Sequence, residues 1–316
     1  MVLRTTSRSV NRRVLVHGLY HCGRMFADLM NGNGWEFRYY PDAGIRNLAT
    51  MVRDLANCDL VYQIGGRRRS GKFLHVAKLL NKKKIVMHWT GSDTLDEQKQ
   101  PVSATAEPWV LQNVRHWAVS DWMVREVEAL GVPCELVPIP SSFVPEQPCP
   151  LPAKFSVLVY VPAVSRSDLY GLDRILEVAR ELADVSFELV GLVDGSIADP
   201  PANLRIHGRI PDLGEFYRRA SVVWRPTRHD GMSSMVLEAL GYGRHVLWSY
   251  PFPGSVRVSS AAEARDEIAR LHALHREQKL QVNFAGTRAI TEGGYQPHHL
   301  KQAILQRLGM ILETVS

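Results

Sequence analysis

The chain has 316 residues, of which 45% are hydrophobic and 22% are charged. That is enough for one large or two ordinary globular domains, and it is not the composition of a disordered chain. No apolar run reaches the roughly 18 residues of a membrane-spanning helix, and the basic first residues are not followed by an apolar signal segment. We therefore expect a cytoplasmic protein, with peripheral membrane contact as an open possibility.

The net charge of +6 is concentrated in the first half of the chain. Residues 1–150 hold 19 Lys and Arg against 14 Asp and Glu, whereas residues 151–316 hold 19 against 18. This excess fits an anionic substrate, a membrane surface or nucleic acid, and it does not choose among them. The four cysteines are scattered without metal-ligand spacing, so no metal site is predicted.

The first half of the chain alternates strand-like and helix-like segments, an alternation that predicts βαβ units and a mainly parallel sheet. Short apolar runs at 14–17, 60–64 and 85–88 each lead into a loop. Segment 118–119 precedes an amphipathic helix that starts after Ser120 and stops near Gly131 and Pro133.

A proline-rich segment divides the chain. Six of the fifteen residues from Pro138 to Pro152 are proline, which neither a helix nor the interior of a sheet accepts readily. We place a linker there and expect one domain over 1–150 and a second over 151–296. A last segment, 297–316, is predicted to return to the first domain as a helix with one apolar side.

The second half resumes the alternation and contains the most informative loop. Strand-like residues end at Arg225-Pro226-Thr227, a polar loop follows, and a helix opens near Ser233. Asp230 lies before the helix start, and Glu238 lies on its second turn. Backbone N–H groups at such a helix start are suited to hold a phosphate.

Residues 203–250 resemble the family 4 retaining glycosyltransferases, which have the GT-B fold. The signature of that family is an acidic residue, a turn, seven intervening residues and a Glu; here it runs from Asp230 to Glu238, with Asp where Glu is usual. A glycine at 208, Phe216-Tyr217 and Pro226-Thr227 stand in the family's order upstream. The resemblance implies two Rossmann-like domains whose parallel sheets face each other across a cleft.

The resemblance also implies roles for individual residues. Glu238 would hold the donor ribose, and Asp230 would bind hydroxyls of the transferred sugar. Arg166, in the loop after the first strand of the second domain, would stabilise the leaving diphosphate. The further donor-binding residues are predicted to be Gly231, Met232, Ser233, Ser234, Arg209, Ile210, Gly23 and Arg228.

One position departs from the family. Tyr170 stands where the family has a lysine before Gly171, which removes a cation from the diphosphate site. Either Arg225 or Arg228 compensates, or the enzyme is slow or degenerate.

His88 ends a predicted strand of the first domain, and Asp93 follows in a polar loop. In the family, a His at this place lies near the donor sugar and the acceptor. We therefore predict His88 as a catalytic residue and Asp93 as a candidate for orienting the acceptor. The alternative for His88 is a hydrogen-bonded histidine in the core.

The segment 66–73, GRRRSGKF, has the spacing of a phosphate-binding P-loop but ends in Phe where Ser or Thr would ligate magnesium. A P-loop is therefore rejected. The cations of this segment and of the nearby lysine run are candidates for binding an anionic acceptor or a membrane, or they form a solvated basic face. They are Arg67, Arg68, Arg69, Lys72 and Lys82–Lys84.

The predicted function is metal-independent transfer of a sugar, with retention, from a nucleotide-diphosphate donor, for which a UDP-sugar is favoured, to a hydroxyl acceptor. Lipids, glycans and modified nucleic acids are the acceptor classes considered. Two alternatives remain open: a non-catalytic module that binds nucleotide sugars, and a glycosyltransferase that acts on modified bases in nucleic acid.

Overall fold

The structure is a computed structural model that describes residues 11–40, 48–101 and 105–313, without the side chains of Tyr20 and His21. The chain divides into two compact units. Unit 1 comprises Met1–Ser142 and Leu300–Ser316, and unit 2 comprises Phe143–His299. The sequence placed the boundary near 150, whereas the proline-rich segment from 143 onward belongs to unit 2.

Unit 1 is built on a six-stranded parallel sheet with the order β2-β1-β3-β4-β5-β6. Its strands are β1 (Arg12–Gly18), β2 (Trp35–Tyr40), β3 (Leu60–Ile64), β4 (Ile85–Trp89), β5 (Val114–Ala118) and β6 (Glu135–Leu136). Its helices are α1 (Tyr20–Met30), α2 (Leu48–Asn57), α3 (Lys72–Leu79), α4 (Ser92–Gln98), α5 (Pro108–Asn113) and α6 (Asp121–Ala129). Strands β3 and β4 are buried along their whole length, as expected for inner strands covered on both faces.

Unit 2 repeats this plan with a sheet of the order β12-β11-β10-β7-β8-β9, in which every pair of strands is parallel. Its strands are β7 (Ser156–Tyr160), β8 (Ser186–Val190), β9 (Leu204–Ile206), β10 (Val222–Arg225), β11 (His245–Trp248) and β12 (Ser255–Arg257). Its helices are α7 (Leu172–Glu181), α8 (Gly214–Arg219), α9 (Ser234–Gly241), α10 (Ala261–Arg276) and α11 (Phe284–Thr291).

The last helix, α12 (Pro297–Glu313), packs into the core of unit 1. The apolar residues Ile304, Leu308 and Ile311 join the cluster that contains the β1 valines. The ammonium group of Lys301 donates hydrogen bonds to the carbonyls of Leu29 and Asn31 at 2.7 and 2.8 Å, at the end of α1. The predicted return of the C-terminal helix to the first domain is confirmed.

The proline-rich segment is fastened to unit 2 by Arg244, whose side chain is fully buried. Its guanidinium donates hydrogen bonds to backbone carbonyls, among them Tyr242 at 2.7 Å, Pro150 at 3.0 Å and Ala220 at 3.2 Å, and also to that of Cys149. Burial lowers the pKa of Arg244. Ala220 and Tyr242 are the C-cap residues of α8 and α9, where carbonyl oxygens carry partial negative charge, and together with the Cys149 and Pro150 carbonyls they take the place of a carboxylate.

Within the described ranges, no helix is long and apolar enough to cross a lipid bilayer.

Candidate functional site

In unit 2, the strand order reverses between β7 and β10. From β7 the chain proceeds outward through β8 to β9, and from β10 it proceeds outward in the other direction. In open α/β sheets, ligands bind beyond the carboxyl ends of the strands at such a reversal. The loops after β7 and β10 are therefore the candidate site of this unit.

These two loops contact each other directly. The backbone N–H of Arg228 donates to the carbonyl of Leu169 at 2.9 Å. Gly171 has a φ of +67°, and a Cβ atom there would lie 2.4 Å from the carbonyl oxygen of Pro226. Only glycine meets both conditions without strain, so the contact between the loops depends on it.

Glu238 lies on α9 and is half-buried. The hydroxyl of Tyr217, on α8, donates a hydrogen bond of 2.8 Å to its Oε2 atom. Tyr217 is only 1% exposed, and burial, together with the negative charge of Glu238, raises the pKa of its phenol well above the ordinary value. A protonated Tyr217 therefore fixes the direction of the Glu238 carboxylate.

The amino terminus of α9 supplies backbone donors next to Glu238. Ser233 is the N-cap residue, is buried, and makes no side-chain cap hydrogen bond. Ser234 is exposed, and Met232 and Gly231 lie in the turn that leads into the helix. The first N–H groups of a helix have no acceptor within the helix, so they are available to an anion.

Asp230 is held by an ion pair. Both of its oxygens accept hydrogen bonds from the guanidinium of Arg225, with Nη2 and Oδ1 3.0 Å apart, and Thr227 donates to Oδ2 at 3.2 Å. The Arg225 side chain also stacks over the ring of Tyr170, 5.2 Å from its centre. Burial alone lowers the pKa of Arg225, but the charge and hydrogen bonds of Asp230 outweigh it and raise the pKa.

The two arginines considered as substitutes for the missing lysine differ in position. Arg225 lies against Tyr170, which occupies the lysine place, but its charge is balanced by Asp230. Arg228 instead bonds Asp173, with Nη2 and Oδ2 2.7 Å apart, and these hydrogen bonds raise the pKa of Arg228. The predicted donor contact of Arg228 would require it to share or exchange these bonds.

Arg166 lies in a short 3-10 helix, Val164–Arg166, after β7. It is exposed, and its guanidinium has no carboxylate partner in the described part of the chain. Arg166 is therefore the cation of this loop that is open to a ligand. Arg209 and Ile210 follow β9 at the edge of the sheet, two strands and roughly 10 Å from β7. Their predicted donor contact remains a prediction.

Gly23, predicted as a donor-binding residue, lies inside α1, which begins three residues earlier. A Cβ atom at Gly23 would lie 2.5 Å from Cε2 of Tyr39. Its evident role is the close packing of α1 against β2.

The structure contradicts the catalytic assignment of His88. The side chain is fully buried, Nε2 lies 2.7 Å from the carbonyl oxygen of Val137, and Nδ1 lies 2.6 Å from the hydroxyl of Tyr62. The carbonyl can only accept, so Nε2 carries the proton and Nδ1 accepts from Tyr62. Burial lowers the pKa of His88 to about 3. His88 is the hydrogen-bonded core histidine that the sequence left as the alternative.

Asp93 organises the loops of unit 1. Its two oxygens accept hydrogen bonds from the backbone N–H groups of Gly66, Thr90, Gly91 and Thr94, at 2.6 to 3.2 Å. Burial raises its pKa, and these bonds partly offset the rise. The carboxylate serves the loops themselves, which argues against the acceptor-orienting role.

Sequence reasoning missed the buried partners that set the geometry of the site. Tyr217 was noted only as part of the family context, and the pairing of Arg225 with Asp230 was not foreseen. An arginine that ends an otherwise apolar strand, five residues before a lone Asp, was the available signal for that pair.

No family model and no curated protein matches the sequence. Solved structures do resemble the chain. Sucrose-phosphate synthase from Thermosynechococcus elongatus gives a TM-score of 0.73 at 12% identity, covering 96% of this chain and 100% of that one. The trehalose-phosphate synthase from Burkholderia vietnamiensis gives 0.57 at 11% identity, covering 97% and 99%.

A third similar structure is the pneumococcal O-GlcNAc transferase solved with UDP and GlcNAc, with a TM-score of 0.56 at 16% identity, covering 84% of this chain and 59% of that one. These neighbours are GT-B glycosyltransferases, so the predicted GT-B fold is confirmed. Membership of family 4 remains a prediction.

Proposed function

We propose that the chain is a glycosyltransferase that binds a nucleoside-diphosphate sugar, with a UDP-sugar favoured, beyond the carboxyl ends of β7 and β10. One observation carries the proposal: three features suited to a nucleotide sugar lie around the strand-order reversal of a glycosyltransferase fold. They are a carboxylate held in place by a hydrogen bond, a helix start without a side-chain cap, and a cation without a carboxylate partner among the described residues. These are Glu238, the N–H groups after Ser233, and Arg166.

In the proposed reaction, the bond between the anomeric carbon of the sugar and the diphosphate oxygen breaks, and the acceptor oxygen bonds to that carbon from the same face. The acceptor proton passes to an oxygen of the leaving diphosphate, so the reaction retains configuration and needs no metal. Arg166 and the start of α9 stabilise the charge that develops on the diphosphate. Glu238, oriented by Tyr217, accepts hydrogen bonds from the ribose hydroxyls.

The test is donor binding and turnover by Glu238 variants. Thermal unfolding is followed with UDP, GDP and ADP and their sugars, since a ligand of the native state raises the unfolding temperature by mass action. We expect UDP-sugars to raise it for the wild type, and Glu238→Ala to weaken donor binding about tenfold or more, because a hydrogen-bonded charged group is lost.

The matched control is Glu215→Gln, which removes an exposed carboxylate from the neighbouring helix α8. It should bind the donor as the wild type does. Wild-type donor binding by Glu238→Ala, or no response to any nucleoside diphosphate, contradicts the proposal.

The pairing of Asp230 with Arg225 favours one second candidate, a module that binds nucleotide sugars without transferring them. In that case, UDP-sugars would bind in a Glu238-dependent way, with no release of UDP in the presence of any acceptor. NMR of the anomeric proton of a product would decide for transfer and would also report retention.

A further inference from the structure

We propose that unit 1 binds a small acceptor carrying a phosphate group, through Arg67, Arg69 and Lys72 at the carboxyl end of β3. The inference rests on the proposed function, since it names the acceptor class of the same reaction.

The position follows from the topology of unit 1. Its strand order reverses between β1 and β3, because β2 lies on one side of β1 while β3 to β6 continue on the other. The ligand crevice of such a sheet lies beyond the carboxyl ends of these two strands. The loop from Gly65 to Gly71, which connects β3 to α3, lies at this place.

The cations of this loop fall into two groups. Arg68 is paired with Glu97, with Nε and Oε2 3.0 Å apart, and Lys78 on α3 is paired with Glu107 at 2.8 Å. In contrast, Arg67, Arg69 and Lys72 have no carboxylate partner among residues 11–40, 48–101 and 105–313. The Nε atom of Arg67 is buried and has no hydrogen-bond acceptor.

Two of these unpaired cations, Lys72 and Arg67, lie at the positive end of a helix, which repels them. Lys72 is the first residue of α3, which has no acidic residue in its first turn and no side-chain cap. The guanidinium of Arg67 lies over the N-cap residue, since a Cβ atom at Gly71 would be 2.1 Å from its Nη1. Positive groups at the positive end of a helix are unfavourable unless an anion lies between them.

The loop is fixed without a ligand. The backbone N–H of Gly66 donates to Asp93 at 2.6 Å, and that of Ser70 donates to Glu107 at 2.9 Å. Hydrogen bonds from Lys78 and then from Ser70 lower the pKa of Glu107 to about 2, so it stays a carboxylate. The nearby acids are thus engaged in holding the loop, and the cations remain for an external anion.

A small phosphate fits better than a membrane or a nucleic acid, because the basic surface is not continuous. Lys82 donates to the carbonyls of Ala56 and Cys58 at 3.0 and 2.9 Å, and Lys84 donates to that of Leu312 at 2.6 Å. These lysines serve the fold of unit 1. What remains in this loop is Arg67 and Lys72 at one helix start, with Arg69 exposed in the adjoining loop, an arrangement suited to a single phosphate.

The experiment titrates the full chain at low salt with a hexose 6-phosphate and with the same hexose unphosphorylated, by calorimetry. We expect binding of the phosphorylated sugar alone. Lys72→Gln and Arg69→Gln, both at exposed positions, should each weaken it severalfold, and Arg67→Gln should weaken it about tenfold. Lys83→Gln, an equal loss of charge at an exposed residue of the same unit, should bind as the wild type does.

UDP binding separates this proposal from the previous one. All four variants should retain wild-type affinity for UDP, which depends on unit 2. If Glu238→Ala loses UDP binding but still binds the hexose phosphate, the phosphate site proposed in unit 1 is supported independently of the donor site. The proposal is overturned if the hexose phosphate does not bind or if Lys83→Gln weakens it equally. It is also overturned if Arg67 and Lys72 are needed only for binding to vesicles of phosphatidylcholine and phosphatidylglycerol or to duplex DNA.

Discussion

Each unit has a six-stranded parallel sheet with one strand-order reversal, but the two units use their charges differently at that place. In unit 2, the two arginines at the end of β10 and in the loop after it are paired with carboxylates: Arg225 binds Asp230, and Arg228 binds Asp173. In unit 1, the acids are taken up in fixing loops, and three cations have no described partner. Paired charges suit a ligand held largely by directed hydrogen bonds, with Arg166 left for its diphosphate, whereas three unpaired cations suit a ligand that brings the missing negative charge.

The largest expected effect is on stability, and it follows from removing one partner of the ion pair between Arg225 and Asp230 in unit 2. Arg225→Met would leave Asp230, whose side chain is only 13% exposed, without its cation. Removing one partner of a buried ion pair costs about 3–5 kcal/mol of the free energy of unfolding. Thermal unfolding and hydrogen exchange of the β10 segment would measure the loss.

The matched variant removes both charges. Arg225→Met combined with Asp230→Asn should recover most of the stability lost in the single variant, because no unpaired charge remains. A single variant as stable as the wild type would show that the pair does not contribute to the fold of unit 2.

Acid should destabilise unit 1 more than unit 2. Burial lowers the pKa of His88 to about 3 and that of His116 to about 4. Unfolded histidine titrates near 6.5, so the unfolded chain binds more protons below that pH, and stability is lost as pH falls from 6.5 towards these values. At pH 5, we expect each residue to account for a loss of about 2 kcal/mol relative to pH 7.

Asp93, whose pKa is raised by burial, acts in the opposite sense and reduces the net loss. The measurement is the opening free energy of β4 and β5 against that of β7 and β10, from hydrogen exchange corrected for intrinsic rates. His75→Gln, at an exposed position, should leave the difference unchanged. Equal acid sensitivity of both sheets would refute the expectation.

The smallest effect concerns the orientation of Glu238. Tyr217→Phe removes the hydroxyl that donates to this carboxylate, and we expect about a fivefold weaker affinity for the donor nucleotide. Turnover at saturating donor should change less than the affinity. Tyr242→Phe, which removes a hydroxyl from the adjacent ring, is the control; an equal effect of both changes would argue that packing alone is responsible.

The alternation of the fold was readable from the sequence because buried parallel strands are short apolar runs. The strand at 60–64 was predicted with its observed bounds, and the last helical segment was predicted to begin at 297, where α12 begins. The boundary between the units was placed too late. Prolines mark where regular structure is absent, but they do not reveal that a distant arginine binds the carbonyls between them.

The candidate site was predictable only in part, for a similar reason. Glu238 and Ser233 belong to a local pattern, so their proximity follows from chain order. The surroundings of His88 depend on Tyr62 and Val137, which are far from it in sequence, and no local pattern shows that both ring nitrogens are occupied. Pairings between distant side chains were the part that needed coordinates.

The buried guanidinium of Arg244 also determines where the gene can be divided. A fragment that starts at 151 would lack the carbonyls of Cys149 and Pro150. The buried guanidinium of Arg244 would then have lost two of its hydrogen-bond acceptors, which favours aggregation. A fragment that starts at 143 keeps every acceptor described for this side chain. Separate expression of the second half should therefore begin at residue 143, eight residues before the predicted start of the second domain.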